Sequence, residues 1–250
     1  MIELDSDGDI TTLRLAHGKA SALDVELLRS LEERLDEVER SSARAVVLTG
    51  TGTIFSAGVD LFRVIEGGPS YVGEFFPRLA SAIRRLFLFP RPVVAAANGH
   101  AIAGGCILAA ACDYRILATG KGRIGVPEAF VGVPFPAVAL EVLRFAMPAE
   151  HLQNIVYTGT TFSPEEAFRL GLIDELSAPE ELAGRASEVA RQLASIPTEV
   201  FRMTKMQLRQ VSIDRADAMH GADVAAERIW ADAGTHQHIR QYLNRTIGKR

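Results

Sequence analysis

Cysteine is scarce in this sequence. Only Cys106 and Cys112 occur among 250 residues, and both lie in an apolar stretch rich in Ala and Gly, without CxxC spacing. This pattern argues against a disulfide framework and a cysteine-based zinc site, and it is typical of a reducing compartment. His236 and His238 form an HxH pair that lacks an evident third ligand. We therefore expect a cytoplasmic protein that holds no metal.

Neither sign of charge dominates the composition. The chain has 27 Lys and Arg against 31 Asp and Glu, a formal net charge of −4 at pH 7, and no run of like charges concentrates either sign. A nucleic-acid binder would need a basic surface, so we expect no nucleic-acid partner. The start of the chain, MIELDSDGDI, carries acids and no apolar segment, which does not resemble a secretory signal.

Long hydrophobic runs are nearly absent. The exception is residues 93–112, VVAAANGHAIAGGCILAAAC, which have about the length of a membrane span. An Asn-Gly-His turn at 98–100 and a glycine pair at 104–105 interrupt this run. The pattern favours a buried strand, a polar turn and a buried helix. We therefore expect no membrane partner.

What is present is typical of a globular protein. Apolar residues make up 48% and charged residues 23%, and the length suits one large domain or two small ones. Strands and helices alternate in the predicted order, which indicates an α/β core with parallel character. The predicted elements are a hairpin over 1–16, an amphipathic helix over 24–40, strands over 45–49, 93–97 and 114–118, and a helix over 106–110.

Two segments outside this alternation also carry predictions. Residues 64–77, VIEGGPSYVGEFFP, show no clean period, which predicts a mobile loop or lid that lines a substrate site, before a helix at 78–88. Ser163 followed by Pro164 and Glu166 predicts a capped helix that ends at Gly171. Beyond it, the chain is rich in Ala, Glu, Arg and Leu, which indicates a helical C-terminal region.

Two glycine-containing turns are the candidate binding elements. One covers residues 55–60 after a buried strand, and the other covers 103–105 before a buried helix. If the backbone N–H groups of Val59 and Gly104 converge, they offer two donors to an oxygen that becomes negative during a reaction. Each turn taken alone is better explained as backbone geometry.

Several stretches together resemble one family. IFSAGVDL (54–61), ANGHAIAGGCILAAACDYRILA (97–118) and IGVPEAFVGV (124–133) resemble the crotonase, or enoyl-CoA hydratase/isomerase, superfamily. HGKASALD (17–24) and FSPEEAFRLGLIDEL (162–176) extend the resemblance over most of residues 1–210.

The resemblance implies a fold and a class of substrate. It implies an α/β, crotonase-like spiral of ββα repeats over 1–195 and a helical C-terminal region over 196–250 that mediates trimers or covers the site. The implied substrates are acyl-CoA thioesters, with no cofactor beyond the coenzyme A of the substrate itself. The implied assembly is a homotrimer or a dimer of trimers.

The resemblance also implies roles for individual residues. Val59 and Gly104 match the positions whose N–H groups form the family's oxyanion hole for the thioester carbonyl. Ala57 and Asp60 match the CoA-binding stretch, and Arg63 is a candidate for a CoA phosphate. A solvated Arg63 without a ligand is the alternative.

The carboxylates depart from the hydratase pattern. Hydratases of the family place one Glu three residues after the glycine of the oxyanion hole, where this chain has Ile107. A second Glu, in a Pro-Glu dipeptide, is retained as Glu128. One carboxylate suffices to take a proton from C2 of a 3-enoyl thioester and return it at C4. The apolar neighbours Ile124, Val126, Phe130 and Val131 predict a raised pKa for Glu128.

The leading hypothesis is therefore an isomerase that converts 3-enoyl-CoA to 2-enoyl-CoA. An enoyl-CoA hydratase and a non-catalytic acyl-CoA binding protein remain alternatives, and Glu128 is alternatively a surface or helix-capping carboxylate. The sequence assigns structural roles to His100, Asp113 and Tyr114, and it predicts Trp230 as a core or subunit contact.

Overall fold

The computed structural model of the protein describes residues 1–246. Within them, the chain forms ten strands and eleven helices. The strands are β1 (Ile2–Asp7), β2 (Ile10–Leu15), β3 (Ala45–Thr49), β4 (Ile54–Ser56), β5 (Val93–Ala97), β6 (His100–Ile102), β7 (Tyr114–Ala118), β8 (Ile124–Gly125), β9 (Thr161–Phe162) and β10 (Glu175–Ser177). The helices are α1 (Val25–Arg40), α2 (Leu61–Phe87), α3 (Gly104–Ala111), α4 (Glu128–Val131), α5 (Ala137–Ala146), α6 (Ala149–Thr158), α7 (Pro164–Arg169), α8 (Leu182–Ala194), α9 (Thr198–Ala218), α10 (His220–Ala231) and α11 (Ala233–Thr246).

The strands form two sheets. The larger has the order β1-β2-β3-β5-β7-β10, and the smaller has the order β4-β6-β8-β9. Apart from the β1–β2 hairpin and the β8–β9 pair, all neighbours are parallel. The units β3-β4-α2, β5-β6-α3 and β7-β8-α4 each give their first strand to the larger sheet and their second to the smaller. This repetition is the predicted spiral of ββα units.

Helices cover both faces of the larger sheet. β3 and β5 are buried at every position, as expected for parallel strands that pack on two sides. One face packs on α1, α2 and α3, and the opposite face, with Val47 and Val94, packs on Ala186 and Val189 of α8. The predicted N-terminal hairpin, the first helix and the three predicted strands at 45–49, 93–97 and 114–118 are all confirmed.

The predicted loop at 64–77 is wrong. These residues lie within α2, which Gly68, at φ 62° and ψ −157°, divides into two helical segments. Helical spacing buries Val72, Phe75 and Phe76. The glycines and the proline around residue 68 obscure the helical period in the sequence, because these residue types usually indicate a loop. Here they divide one helix into two segments.

The described part of the C-terminal region is helical, as expected. α9 is bound to the end of α3 by a buried ionic cluster: Lys205 Nζ lies 2.7 Å from Asp113 Oδ2, and Arg209 Nη2 lies 2.9 Å from Asp113 Oδ1. Arg209 also donates to the carbonyl oxygens of Ala111 and Cys112, at 2.9 and 3.1 Å. Asp113 therefore has the predicted structural role. Whether the chain divides at residue 195 stays a prediction, and residues 247–250 lie outside the described part.

The remaining predictions on local structure also hold. Ser163 and Glu166 form the predicted capping box at the start of α7, and Gly171 follows that helix with φ 72°. Tyr114 donates from its hydroxyl to Glu175 Oε2 at 3.0 Å. Residues 93–112 form the expected strand, turn and helix α3, but the short strand β6 between the turn and α3 was not predicted. Among the described residues we find no helix with the length and apolar character that crossing a membrane requires.

Candidate functional site

The two predicted glycine turns lie against each other. A Cβ placed on Gly58 would lie 3.1 Å from the amide nitrogen of Gly104 and 2.6 Å from the carbonyl oxygen of Ile102. A Cβ placed on Gly105 would collide with the carbonyl of Ser56. Glycine is therefore required here because two backbone segments approach closely, and the N-terminus of α3 is brought to the turn that follows β4.

The residues before α1 hold the turn after β4 in place. Ala57 N donates to Ala20 O at 3.0 Å, and the Ser56 hydroxyl donates to Ser21 O at 2.7 Å. Leu23 bonds both sides of Val59: its N–H donates to Gly58 O at 2.7 Å, and its carbonyl accepts from Asp60 N at 2.9 Å. This pairing leaves the N–H of Val59 outside the ladder.

The amide groups of Val59 and Gly104 are both free donors within residues 1–246: neither donates to a backbone or side-chain acceptor there. Gly104 is the first residue of α3, where an N–H has no intrahelical partner. The preceding residue, Ala103, holds a left-handed conformation at φ 52° and ψ −125°, and its N–H donates to Gly125 O at 2.8 Å. Strain of this kind persists where the surrounding structure fixes the backbone.

A cavity of about 90 Å³ opens beside these turns. Its walls are mostly apolar and come from the two turns, from α2, from the segment 127–139 and from the C-terminal helices. The lining residues are Ala57, Val59, Leu61, Leu79, Ile83, Ile102, Ala103, Gly104, Ile107, Pro127, Glu128, Val131, Val133, Pro134, Phe135, Pro136, Ala139, Trp230 and Tyr242.

Glu128 brings the only carboxylate to this cavity among the described residues. It begins the short helix α4 and is 8% exposed, and its Oε2 is buried without a hydrogen-bond partner in the described part of the chain. Burial raises the pKa of Glu128 from 4.5 to about 8, and a hydrogen bond from its own backbone N–H acts in the opposite direction. The predicted rise is confirmed, although Phe130 is 57% exposed and contributes little to the apolar surroundings.

Ile107 occupies the wall where the hydratase pattern has its other carboxylate. Its side chain is 1% exposed and lines the cavity. No second acid from the predicted loop replaces it: Glu66 is exposed, and Glu74 pairs with Arg29 at 3.3 Å on the surface. None of residues 64–77 lines the cavity, so this part of the loop prediction is also wrong.

Among the lining residues that sequence reasoning missed, four lie on helices outside the two turns. Leu79 and Ile83 come from α2, and Trp230 and Tyr242 come from α10 and α11. Trp230 is a core residue, as predicted, but its ring also reaches the cavity wall and its Nε1–H donates to Pro134 O at 2.8 Å. The helical spacing of Leu79 and Ile83 is the sequence signal that could have placed both side chains on one buried face of α2.

The residues predicted to bind CoA lie at the outer end of the cavity and beside it. Ala57 is exposed at the cavity wall. Asp60 caps α2 by accepting from the N–H groups of Phe62 and Arg63, both at 3.1 Å. The Arg63 guanidinium donates to Glu26 Oε1 at 2.8 Å and lies 5.4 Å from the centre of the Tyr71 ring.

The histidines that the sequence singled out make local hydrogen bonds. His100 Nδ1 accepts from Arg123 N at 3.2 Å, in agreement with its predicted structural role. His236 Nε2 lies 2.8 Å from Trp230 O, and His238 Nε2 lies 3.1 Å from Phe130 O. Within residues 1–246, no three His, Cys, Asp or Glu side chains form a group that would bind a metal.

Comparison with known proteins assigns the family. The sequence profile described as enoyl-CoA hydratase/isomerase matches residues 6–246. The chain belongs to the enoyl-CoA hydratase/isomerase family. Enzymes of this family act on acyl-CoA thioesters.

Some relatives within the family are named isomerases and others are named hydratases. Mitochondrial enoyl-CoA delta isomerase 1 of Mus musculus is 28% identical over 227 residues, covering 90% of this chain and 78% of the mouse protein. The short-chain-enoyl-CoA hydratase of Clostridium acetobutylicum is 31% identical over 220 residues, covering 85% of this chain and 84% of the bacterial protein.

A solved structure of the enoyl-CoA hydratase/isomerase family supports the fold. The crystal structure of human mitochondrial delta3-delta2-enoyl-CoA isomerase matches with a TM-score of 0.94 at 25% identity, covering 100% of this chain and 99% of the human one. The predicted crotonase fold is confirmed.

Proposed function

We propose that this enzyme isomerises 3-enoyl-CoA thioesters to 2-enoyl-CoA thioesters. One observation carries the proposal: among residues 1–246 the cavity has a single carboxylate, that of Glu128, and the apolar Ile107 stands at the position where the hydratase pattern has a second carboxylate. A shift of a double bond needs a single group that carries a proton between two carbons, whereas hydration needs a water molecule to be held and activated. The apolar wall at Ile107 offers no acceptor to such a water.

The placement of Glu128 at the cavity supports a proton transfer in two steps. Its carboxylate takes a proton from C2 of the substrate, and the electron pair of the broken C–H bond moves into a dienolate that spans C1 to C4. Glu128 then returns the proton at C4, which leaves the double bond between C2 and C3 and restores the thioester carbonyl. Burial raises the pKa of Glu128 to about 8, which suits a group that acts as base and then as acid near neutral pH.

The free amides supply the electrostatic part of the mechanism. The N–H groups of Val59 and Gly104 donate to the thioester oxygen, which carries the negative charge of the dienolate. Gly104 is also the first residue of α3, so the positive end of the helix dipole faces this oxygen. Fixed donors of this kind stabilise the transition state because they need no reorganisation during the reaction.

The proposal extends to binding and assembly. Main-chain atoms of Ala57 and Asp60 contact the coenzyme A moiety, and Arg63 exchanges Glu26 for a CoA phosphate. No cofactor beyond the substrate's own coenzyme A takes part. The subunits assemble as a homotrimer or a dimer of trimers, to which the exposed apolar side chains of α9, among them Val200, Leu208 and Val211, contribute an apolar contact surface.

Hydration is the second candidate, because the bacterial short-chain-enoyl-CoA hydratase is among the relatives. Two assays on the purified protein separate the reactions. The first follows the absorbance of the conjugated product from a 3-enoyl-CoA, and the second follows the loss of conjugation in crotonyl-CoA. We expect isomerisation to exceed hydration by more than about tenfold. Hydration of crotonyl-CoA within about tenfold of isomerisation would replace this proposal with the hydratase.

A further inference from the structure

We infer that Trp230 closes the inner end of the cavity and restricts the enzyme to short-chain acyl-CoA thioesters, with an acyl group of about four carbon atoms. The inference rests on the proposed function in taking an acyl-CoA thioester as the ligand and in placing its carbonyl at Val59 and Gly104. It concerns which thioesters fit, whatever reaction follows.

The exposure of the lining residues shows the direction of the cavity. Ala57 is exposed and Val59 is half-buried, so the end at the oxyanion turn faces solvent. Leu79, Ile83 and Trp230, on α2 and α10, are 3%, 1% and 2% exposed. A thioester whose carbonyl lies at the turns therefore directs its acyl chain toward the buried part of the wall, which these three side chains form together with Ile107 and Ala139.

The volume limits the length of that chain. An apolar cavity of about 150 Å³ holds benzene, which has six carbon atoms. The cavity here measures about 90 Å³. By proportion it holds about four carbon atoms, so a butyryl-sized group fills it and a longer chain meets the inner wall.

Trp230 is fixed more firmly than an ordinary core side chain. Its Nε1–H donates to Pro134 O at 2.8 Å, and its ring centre lies 6.1 Å from Phe75 and 6.3 Å from Phe76. Its backbone carbonyl lies 2.8 Å from His236 Nε2, and His236 is itself buried. A longer chain can displace the indole only by breaking its hydrogen bond to Pro134 and its packing against Phe75 and Phe76.

Binding of saturated acyl-CoA thioesters tests the inference without any reaction. Acetyl-, butyryl-, hexanoyl- and decanoyl-CoA are titrated into the wild-type protein by calorimetry. From acetyl to butyryl we expect the Kd to fall by roughly fourfold per methylene, the value for a buried CH₂ group. Decanoyl-CoA should bind at least about tenfold more weakly than butyryl-CoA. If decanoyl-CoA binds as tightly as butyryl-CoA, the inference is wrong.

Variants assign the limit to Trp230. Trp230→Ala opens the inner end and should strengthen decanoyl-CoA binding relative to butyryl-CoA by at least about tenfold. Phe87→Leu removes buried aromatic volume from α2 away from the cavity and should leave that ratio unchanged. Should Trp230→Ala fail to fold, Ile83→Ala enlarges the same end and should improve hexanoyl-CoA binding. The same ratio in the wild type and in a folded Trp230→Ala or Ile83→Ala variant would contradict the assignment.

The result is separable from the fate of the proposed reaction. A cut-off in chain length together with no isomerisation of any 3-enoyl-CoA would overturn the isomerase and leave this inference in place. Isomerisation of a 3-decenoyl-CoA as fast as of 3-butenoyl-CoA would support the isomerase and overturn the size limit.

Discussion

Gly58 and Gly104 lie so close that a single methyl group on Gly58 would approach within 3.1 Å of the Gly104 amide nitrogen. The two amides proposed to hold the thioester oxygen therefore depend on one backbone contact. A substitution at Gly58 alters that contact while Val59 and Gly104 themselves stay unchanged.

Gly58→Ala should separate the two turns. Its Cβ would meet the carbonyl oxygen of Ile102 at 2.6 Å, and its φ of +83° is unfavourable for alanine. We expect a loss of roughly 100 to 1000-fold in kcat, the usual effect of losing one oxyanion donor. Gly52→Ala is the matched control, because Gly52 has φ +60° but no atom within 4 Å of an added Cβ. Equal losses in the two variants would assign the effect to backbone strain alone.

Glu128→Gln should remove the proton carrier and keep the shape of the cavity. Isomerisation should fall by roughly 100 to 10,000-fold, while the Kd of a saturated acyl-CoA changes little. Glu141→Gln is a suitable control, because Glu141 is a buried carboxylate of α5 that does not line the cavity. Parental turnover by the Glu128 variant would show that its carboxylate is structural.

The pH dependence of isomerisation should report the same group. Glu128 acts as a base only when ionised, and burial places its pKa at about 8. We therefore expect kcat/KM to rise with pH and to level off above about pH 8, since this parameter reports groups of the free enzyme. A profile that is flat between about pH 6 and pH 9 would contradict the assignment.

The stability contribution of Glu128 should fall as the pH rises, whereas kcat/KM should increase. The folded-state pKa of Glu128, about 8, lies above its ordinary value of 4.5, so the native state retains a proton that the unfolded state has lost. This contribution is complete below the ordinary value and is lost as the pH rises through about 8. Gln cannot ionise. The free energy of unfolding of Glu128→Gln, relative to that of the parental protein, should therefore increase by on the order of a few kcal/mol between about pH 5 and pH 9. Urea unfolding at several pH values measures the difference, and a constant difference would contradict the raised pKa.

Ile107→Glu should restore the hydratase pattern only in part. A carboxylate at this buried wall lacks a partner, so we expect a loss of stability on the order of a few kcal/mol. Hydration of crotonyl-CoA should rise slightly and remain far below that of a dedicated hydratase, because the surrounding side chains do not hold water. Ile107→Gln is the control that adds polarity without charge. A hydration rate equal to the parental isomerisation rate would show that one carboxylate was all the site lacked.

The parts of the site that the sequence predicted are local in the chain. Val59, Gly104 and Glu128 each lie in a short turn or helix start, where a few neighbouring residues determine the backbone. Trp230 and Tyr242 were not predicted as cavity residues, because the side of a helix that meets a distant cavity depends on tertiary packing. The same dependence on tertiary packing explains why residues 64–77 were predicted as a loop. The helical period of α2 is interrupted at Gly68, although the buried face of the helix continues beyond it.

The cluster at the end of α3 has a consequence for the order of events during synthesis. The carbonyl groups of Ala111 and Cys112 and the carboxylate of Asp113 receive their donors from Lys205 and Arg209, about a hundred residues later in the chain. While the ribosome is still translating the region between them, the carbonyl groups of Ala111 and Cys112 lack the donors of Arg209, and the carboxylate of Asp113 has only the N–H of Val93 as a donor. The nascent spiral therefore reaches its final packing only after α9 has left the exit tunnel, and a chain released before that point would expose an incomplete core to aggregation and proteolysis.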